Sequence, residues 1–127
     1  MKLGWGALFA FCVGIANAAD YPARPVRMVV PFAPGGFTDV VARIVGQMLT
    51  AQWGRAVVID NRPGAAGTIG PTLVVNAEPD GYTLLFASNS TYSVNPAVYK
   101  SLPYDVTRDF QLVAVTAYSP HVLIVRP

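Results

Sequence analysis

Val26-Arg-Met-Val-Val-Pro-Phe-Ala-Pro-Gly-Gly-Phe-Thr-Asp39 is the stretch of sequence that decides the fold. Its first six residues are mostly apolar and predict a buried strand, and the glycines predict a tight turn into a helix. The first N–H groups of a helix have no partner inside it, and the helix dipole adds partial positive charge. Such a turn suits a small anion, either a carboxylate or a phosphate, although glycine also serves a tight turn for geometric reasons alone.

The N-terminal segment, residues 1–18, has the layout of a cleavable secretory signal peptide. Lys2 supplies a positive charge, Leu3–Ala16 is apolar, and Ala16-Asn17-Ala18 places small residues around the cleavage point. Because the apolar run is too short for a comfortable membrane span, an uncleaved anchor helix is the less favoured alternative. Cleavage removes Cys12, the single cysteine, and bulky residues before it argue against lipid attachment. A mature chain without a thiol fits an exported protein of the bacterial periplasm.

The charges of the remaining residues nearly balance. Of nine basic residues Lys2 lies in the signal segment, which leaves eight to face seven acidic ones. No basic patch indicates nucleic-acid binding, and a single histidine, His121, is too few for a histidine metal site. His121 lies in an apolar run, where we expect a core or edge position. We therefore expect no metal, no cofactor and no nucleic-acid partner.

A helix is predicted from Thr38 to Trp53. Two rows of apolar residues at four-residue spacing predict a broad buried face, and Gly54 is expected to end the helix in the left-handed conformation. The rows are Val40, Ile44 and Met48, and Val41, Val45 and Leu49.

The chain as a whole predicts an α/β fold with the order strand, helix, strand, helix, strand, and then two further strands. Thr68 is expected to cap the second helix, with Pro71 in its first turn, where its missing N–H costs nothing. The elements after the first helix are a strand at Ala56–Asp60, a helix from Thr68 to about Ala77, a turn at Glu78–Gly81, a strand at Tyr82–Ala87, a helical turn at Asn95–Tyr99, a turn at Leu102–Asp105, and strands at Phe110–Thr116 and Val122–Val125.

Three polar or glycine-rich loops follow the first three strands: Ala33–Asp39, Pro63–Thr68 and Ser88–Thr91. Right-handed crossovers make these strands parallel, so the loops meet at one edge of the sheet, where ligands bind in such folds. Backbone N–H groups, hydroxyls and an amide are neutral donors that suit reversible capture of a carboxylate. The candidate ligand-binding residues are Phe32, Ala33, Pro34, Gly35, Gly36, Phe37, Thr38, Asp39, Ala66, Gly67, Ser88, Asn89, Ser90 and Thr91.

These residues have different expected roles. The two glycines, Gly35 and Gly36, are expected to present backbone donors, and Asp39 to hold the loop by capping the helix. Hydroxyls and the Asn89 amide supply side-chain donors, while Ala66 and Gly67 shape the edge. Phe32 and Phe37 are equally consistent with pocket walls and with ordinary core aromatics.

Enzymatic chemistry is not favoured by the residues present. The chain has no Gly-x-Ser-x-Gly elbow, no Gly-x-Gly-x-x-Gly fingerprint and no Walker phosphate loop. Asp39 at a helix start, Asp60 at a strand end and Asp80 in a turn each have a structural explanation that is favoured over catalysis. We predict a binding protein rather than an enzyme.

The chain resembles the extracytoplasmic solute receptors of tripartite tricarboxylate transporters, the Bug receptor family. The matching segments run in order along the mature sequence. They are Tyr21-Pro-x-Arg-Pro25, Val29-Val-Pro-Phe-Ala-Pro-Gly-Gly36, Thr38-Asp39, Asn61-Arg-Pro-Gly64, Gly67, Pro79-Asp-Gly-Tyr-Thr-Leu84, Asn95-Pro96, Leu102-Pro-Tyr-Asp105 and Asp109-Phe110.

The resemblance implies a periplasmic-binding-protein type II-like lobe, with a parallel sheet and flanking helices. It implies a two-lobed receptor, monomeric at full length, that captures a di- or tricarboxylate or an acidic amino acid and delivers it to membrane transporter subunits. In the family, the loops that match Ala33–Asp39 and Ser88–Thr91 contact the ligand, and the loop that matches Pro63–Gly67 lies nearby. Pro71–Val75 is a poorer helix former than the family's usual residues, so the second helix is expected to be short.

Length is the largest departure from the family, whose members run to more than twice this chain. Residues 19–127 are therefore expected to form the first part of lobe 1, ending near the crossover at Val122–Val125, with the second lobe absent. A half-receptor that lacks the opposing wall is expected to bind weakly. Two alternatives stay open: a fragment of an exported α/β enzyme, and a degraded paralogue that binds nothing.

Overall fold

A parallel sheet of three strands lies at the centre of the fold. The computed structural model describes residues 21–120 and 122–126, so the predicted signal peptide and His121 lie outside the described residues. The strands are β1 (Val26–Val30), β2 (Val57–Asn61) and β3 (Thr83–Leu85), in the order β2-β1-β3. Met28 lies opposite Ile59 on one side and Leu84 on the other. The predicted α/β class and the parallel pairing of the first three strands are both confirmed.

The central position of β1 explains its apolar sequence. Val26, Val29 and Val30 are fully buried, since a strand with a neighbour on each side and a helix over each face has little contact with water. The core is made of Met28, Val30 and Ala42, surrounded by half-buried side chains. Those surrounding side chains are Phe32, Val45, Leu49, Val57, Ile59, Leu84 and Phe86.

Helix α1 (Phe37–Trp53) lies over one face of the sheet and begins one residue before the predicted start. It approaches β2 closely at Gly46, where an added β-carbon would lie 3.0 Å from Cδ1 of Ile59. The helix ends as predicted, because Gly54 has a φ of 64° and its N–H donates to the Thr50 carbonyl at 3.0 Å.

The prediction that both apolar rows of α1 are buried is wrong for one row. Val41, Val45 and Leu49 are half-buried, whereas Val40, Ile44 and Met48 are 47%, 53% and 67% exposed. The helix instead turns its small residues, Ala42 and Gly46, toward the sheet, which lets the backbones approach closely. The described part of the chain contains no second layer to cover the outer row.

Helix α2 (Ile69–Val75) follows a 3₁₀ turn at Ala65–Gly67 and is shorter than the predicted Thr68–Ala77 helix, as its poor helix formers suggested. Pro71 lies in its first turn as predicted, but Thr68 does not cap the helix with its side chain. Its hydroxyl donates to the Ala65 carbonyl at 2.9 Å instead. Gly70 brings α2 against the end of β1, because an added β-carbon there would lie 2.8 Å from Cβ of Pro31.

The two helices lie on opposite faces of the sheet. The first crossover moves from β1 to β2, and the second returns past β1 to β3, so right-handed connections place α1 and α2 on different sides. The turn before β3 is as predicted, with Gly81 at a φ of 81°.

The segment after β3 is more helical than predicted. Ser90–Val94 form a π-helical turn that continues into α3 (Asn95–Val98), so the predicted polar loop Ser88–Thr91 is partly helical. The predicted helical turn at Asn95–Tyr99 is confirmed.

The two predicted C-terminal strands are absent from the described residues. Residues 110–120 and 122–126 have no regular structure, and apolar side chains such as Val113 and Leu123 are 87% and 94% exposed. An apolar run forms a strand only when a neighbouring strand pairs with it, and neither segment has such a neighbour within the described structure. No helix in the described residues has the length and apolar character needed to cross a membrane.

Candidate functional site

Residues that follow the three strands meet at the carboxyl edge of the sheet. A β-carbon placed on Gly67 would lie 3.8 Å from the Pro31 carbonyl oxygen, 3.8 Å from Oγ1 of Thr91 and 3.9 Å from Cε1 of Phe32. Elements that follow β1, β2 and β3 are therefore in contact at this point. Since the crossovers from β1 and to β3 run in opposite directions, this edge is a topological switch point, where α/β sheets leave a crevice for ligands.

The N-terminus of α1 supplies backbone donors to this edge. Gly36 precedes the helix, no side chain caps it, and the first helical hydrogen bond runs from Val40 N–H to the Gly36 carbonyl at 3.0 Å. Within the described residues, the N–H groups of Gly36, Phe37 and Thr38 donate to no protein acceptor. A β-carbon on Gly36 would meet only the Ala33 carbonyl, at 3.7 Å, so the space in front of these donors is open.

Both glycines are expected to present backbone donors, but Gly35 uses its N–H within the loop. Its N–H donates to Oδ2 of Asp39 at 2.8 Å, so this donor is already occupied. Gly35 has a φ of 86°, a conformation that favours glycine, and its role is to turn the chain. Gly36 remains as the glycine with an open N–H.

Asp39 holds the loop as predicted, but it does so without capping the helix, because no side chain accepts the first helical N–H groups. Its side chain is 2% exposed, and besides the Gly35 N–H it accepts Nε of Arg43 at 2.9 Å and Nδ2 of Asn61 at 2.8 Å. The Arg43 hydrogen bond, followed by those from Gly35 and Asn61, lowers the pKa of Asp39 from 3.8 to about 2. Asp39 therefore stays ionised at neutral pH, with its carboxylate oxygens engaged by these three donors.

Arg43 and Asn61 are site residues that the sequence analysis missed. Arg43 stands four residues after Asp39, a spacing that predicts an ion pair on one helix face. Asn61 was visible only as part of a loop, and nothing in its local sequence indicates the contact with Asp39. That contact arises because β2 lies beside β1 and ends under the first turn of α1.

Thr91 contributes a buried hydroxyl without a partner. It is 2% exposed, and its Oγ1 makes no hydrogen bond within the described residues. Buried polar atoms in proteins are almost always hydrogen-bonded, so an orphaned hydroxyl at a crevice marks a position for a ligand atom or a water. Of the other predicted donors, Ser88 and Ser90 bond each other at 2.7 Å, and Asn89 is exposed.

A buried network fixes the backbone around Thr91. The Tyr104 hydroxyl donates to the Thr91 carbonyl at 3.1 Å, and Nδ2 of Asn95 donates to the Ala66 carbonyl at 3.1 Å. Ala65 and Ala66 have φ values of 45° and 53°, an uncommon conformation for alanine that surrounding contacts must hold. Tyr104 and Asn95 thus hold the backbone of Thr91 and Ala66 in place, a role that the local sequence does not reveal.

The remaining predicted residues take different positions. Phe32 is half-buried against the core, and its proximity to Gly67 also places it at the crevice, so both interpretations of this ring apply. Phe37 is 56% exposed at the edge, which does not fit a core aromatic. Ala33, Pro34 and Ala66 are exposed, while Gly67 is buried and shapes the floor.

The edge is a surface of neutral donors. The one carboxylate at its rim, Asp39, is paired with Arg43, and the open donors are backbone N–H groups and a hydroxyl. The described residues contain no group of three or more histidine, cysteine, aspartate or glutamate side chains that is arranged to hold a metal ion. Such an arrangement can orient a carboxylate, but it offers no activated nucleophile.

Comparison with known proteins gives the family. The model of the tripartite tricarboxylate transporter family receptor matches residues 41–127. The chain belongs to this receptor family. A UPF0065 protein of Bordetella bronchiseptica is 48% identical over 113 residues, which cover 89% of the chain and 34% of that protein. Protein BugT of Bordetella pertussis is 42% identical over 124 residues, covering 94% of the chain and 38% of BugT. The chain thus spans about a third of the length of these curated receptor relatives.

Solved structures of receptor relatives share the fold. The periplasmic binding protein BugD is 45% identical with a TM-score of 0.64, over 71% of this chain and 30% of BugD. MatC from Rhodopseudomonas palustris with bound malate is 40% identical with a TM-score of 0.73, over 76% of this chain and 33% of MatC. A second R. palustris protein, solved with adipate, is 39% identical with a TM-score of 0.67, over 69% of this chain and 29% of that protein. The receptor family and these neighbours are solute-binding proteins, not enzymes.

Proposed function

We propose that this chain is the first part of the first lobe of a periplasmic receptor that captures a small dicarboxylate for a tripartite tricarboxylate transporter. In this proposal residues 1–18 are a signal peptide that directs export. The second lobe, which closes over the ligand from the other side, corresponds to the part of the relatives that this chain does not match. The partners are the membrane subunits of the transporter, and the receptor acts as a monomer.

The observation that carries this proposal is the orphaned Thr91 hydroxyl at the same edge of the sheet as the open N-terminus of α1. Thr91 Oγ1 is buried and needs a ligand atom or a bridging water, and the N–H groups of Gly36, Phe37 and Thr38 are open to an acceptor. A carboxylate has two oxygens that accept several hydrogen bonds, and the partial positive charge of the helix end favours its negative charge. We therefore expect one carboxylate of the ligand to accept hydrogen bonds from both loops.

The chemical class of ligand is supported by the relatives. MatC was solved with malate and the second R. palustris protein with adipate, and both ligands are dicarboxylates. We assign one carboxylate of the ligand to the edge described above and leave the other to the opposing wall. Because the described edge supplies only one wall, we expect millimolar affinity for the 127-residue chain, since few contacts offset the loss of ligand freedom.

An amide-resolved NMR titration tests the proposal at this affinity. The ¹⁵N-labelled chain is titrated with malate, with adipate, and with dimethyl adipate as an uncharged control of similar length. We expect saturable shifts of the Gly36, Phe37 and Thr38 amides with the two acids and none with the ester. Equal shifts with the ester, or no shifts at this edge, would contradict carboxylate capture.

Gly36→Val supplies the matched variant. The added side chain enters the open space in front of the helix donors while its backbone, with a φ of −76°, stays in an ordinary conformation. We expect the fold to survive and the response to malate to disappear. Ala51→Val adds similar bulk at an exposed position near the other end of α1 and should leave the response unchanged.

A further inference from the structure

We propose that Asn61 is a positioning residue that holds the loop between β1 and α1 in the geometry that binds the ligand. This inference rests on the proposed function. Asn61 is the last residue of β2 and touches no open donor itself. Its amide instead makes three contacts with the two ends of the loop, so its effect on a ligand must pass through other groups.

The three contacts use both polar atoms of the side chain. Nδ2 donates to the Phe32 carbonyl at 3.1 Å and to Oδ1 of Asp39 at 2.8 Å, and Oδ1 accepts Nη2 of Arg43 at 3.1 Å. Phe32 begins the loop, whereas Asp39 and Arg43 belong to the first two turns of α1. Asn61 therefore ties both ends of the loop to the end of β2.

Asp39 extends this tie into the loop itself. Its other oxygen accepts the Gly35 N–H at 2.8 Å, so a continuous path of hydrogen bonds runs from Asn61 through Asp39 to Gly35. Gly35 immediately precedes the open donors of Gly36, Phe37 and Thr38. Donors that are already in place when the ligand arrives cost no ordering on binding, which is the usual function of supporting hydrogen bonds behind a site.

The charged groups that face Asn61 determine which substitution tests the hydrogen bonds from Asn61 through Asp39 to Gly35. On α1 the facing groups are the Asp39 carboxylate and the Arg43 guanidinium, and from β1 the facing group is the neutral Phe32 carbonyl. The adjacent Asp60 pairs with Arg27 and Arg62, and alternation along β2 directs it to the opposite face of the sheet. Asn61 thus meets one negative and one positive group among the described residues.

Asn61→Asp converts the bridge into a pH-dependent one. When the introduced carboxyl group is ionised, it lies against the Asp39 carboxylate, and their repulsion raises the pKa of the introduced group, while the Arg43 guanidinium lowers it. Because Arg43 is half-exposed and already paired with Asp39, we expect the repulsion to prevail. When the introduced group is protonated, its hydroxyl can donate to Asp39 and restore the path. We expect malate affinity about 10-fold weaker than that of the unmodified chain at pH 8, and within about 3-fold of it at pH 5, which is the loss and return of one charge-assisted hydrogen bond. Comparison with the unmodified chain at each pH removes the effect of malate's own titration.

The Gly35 amide gives a readout that needs no ligand. Its ¹H and ¹⁵N shifts report the bond to Asp39, so they should be constant from pH 5 to pH 8 in the unmodified chain and should titrate in Asn61→Asp. Asn76→Asp makes the same change at the exposed C-terminus of α2 and should alter neither the Gly35 shift nor the affinity. If Asn61→Asp does not fold at pH 8, Asn61→Ala removes the bridge without charge and should weaken malate binding about 10-fold at both pH values.

The outcomes separate this inference from the proposed function. A Gly35 shift that stays constant in Asn61→Asp, or an affinity loss of equal size at both pH values, overturns the positioning role. Unchanged affinity in a folded Asn61→Ala variant overturns it as well. If the unmodified chain responds to no carboxylate, the proposed function fails, and the Gly35 titration still decides whether the path from Asn61 exists.

Discussion

Replacing Asp39 by asparagine tests how much the buried carboxylate stabilises the fold. Its pKa is lowered from 3.8 to about 2, and each pKa unit corresponds to about 1.4 kcal/mol, so the ionised form contributes about 2 kcal/mol to the free energy of unfolding. Arg43, the largest contributor, is half-exposed, and solvent screening reduces this value toward about 1 kcal/mol. We therefore expect Asp39→Asn to lower the free energy of unfolding by about 1–2 kcal/mol at pH 7.

The stability difference between the unmodified chain and Asp39→Asn should depend on pH. Because the pKa of Asp39 is lowered in the folded state, the stabilisation is present above pH 4 and is lost as the pH falls through about 2. At the lowest pH the carboxyl is protonated and resembles asparagine. The difference between the two proteins should therefore be greatest from pH 5 to pH 7 and should shrink toward zero at pH 2.

Urea unfolding followed by circular dichroism at pH 7, 4, 3 and 2 measures this difference. Glu78→Gln is the control, because Glu78 is exposed and makes no hydrogen bond or ion pair within the described part of the chain. Its effect should stay below about 0.5 kcal/mol at every pH. A difference for Asp39→Asn that is the same at pH 7 and pH 2 would show that the ionised carboxylate does not stabilise the fold.

Three further substitutions test the packing behind the site by the same unfolding measurement. Gly70→Ala places a β-carbon 2.8 Å from Cβ of Pro31 and should cost about 1–3 kcal/mol; a loss under about 0.5 kcal/mol would contradict this close approach. Tyr104→Phe removes the hydrogen bond to the Thr91 carbonyl and should cost about 1 kcal/mol, and an unchanged stability would argue against that bond. Thr91→Val removes an unpaired buried hydroxyl, so it should raise stability by about 1 kcal/mol while weakening the NMR response to malate; unaltered binding would remove Thr91 from the site.

Local patterns predicted the parts of the fold that depend on local chemistry. The apolar run before Gly35 and Gly36 indicated a strand that enters a helix, and Gly54 indicated where that helix ends. Right-handed crossovers then required parallel strands with their loops at one edge. These inferences need only the chain's own periodicity and the special conformations of glycine.

Contacts between segments that are distant in sequence could not be predicted from the sequence patterns. The bond from Asn61 to Asp39 joins residues 22 positions apart, and the support of Thr91 by Tyr104 joins residues 13 positions apart. Neither partner has a sequence signal that specifies the other. The same limit explains the exposed row of α1 and the unpaired apolar residues 110–120 and 122–126, because periodicity shows that a face is apolar but does not show what covers it.

A crystal structure of the chain grown with malate tests directly whether this edge of the sheet binds a carboxylate. We expect one malate carboxylate within about 3 Å of the N–H groups at the start of α1, and hydrogen-bonded to Oγ1 of Thr91 directly or through one water. Malate bound instead among Arg27, Asp60 and Arg62 on the opposite side of β2, with the helix terminus and Thr91 left unpaired, would contradict it.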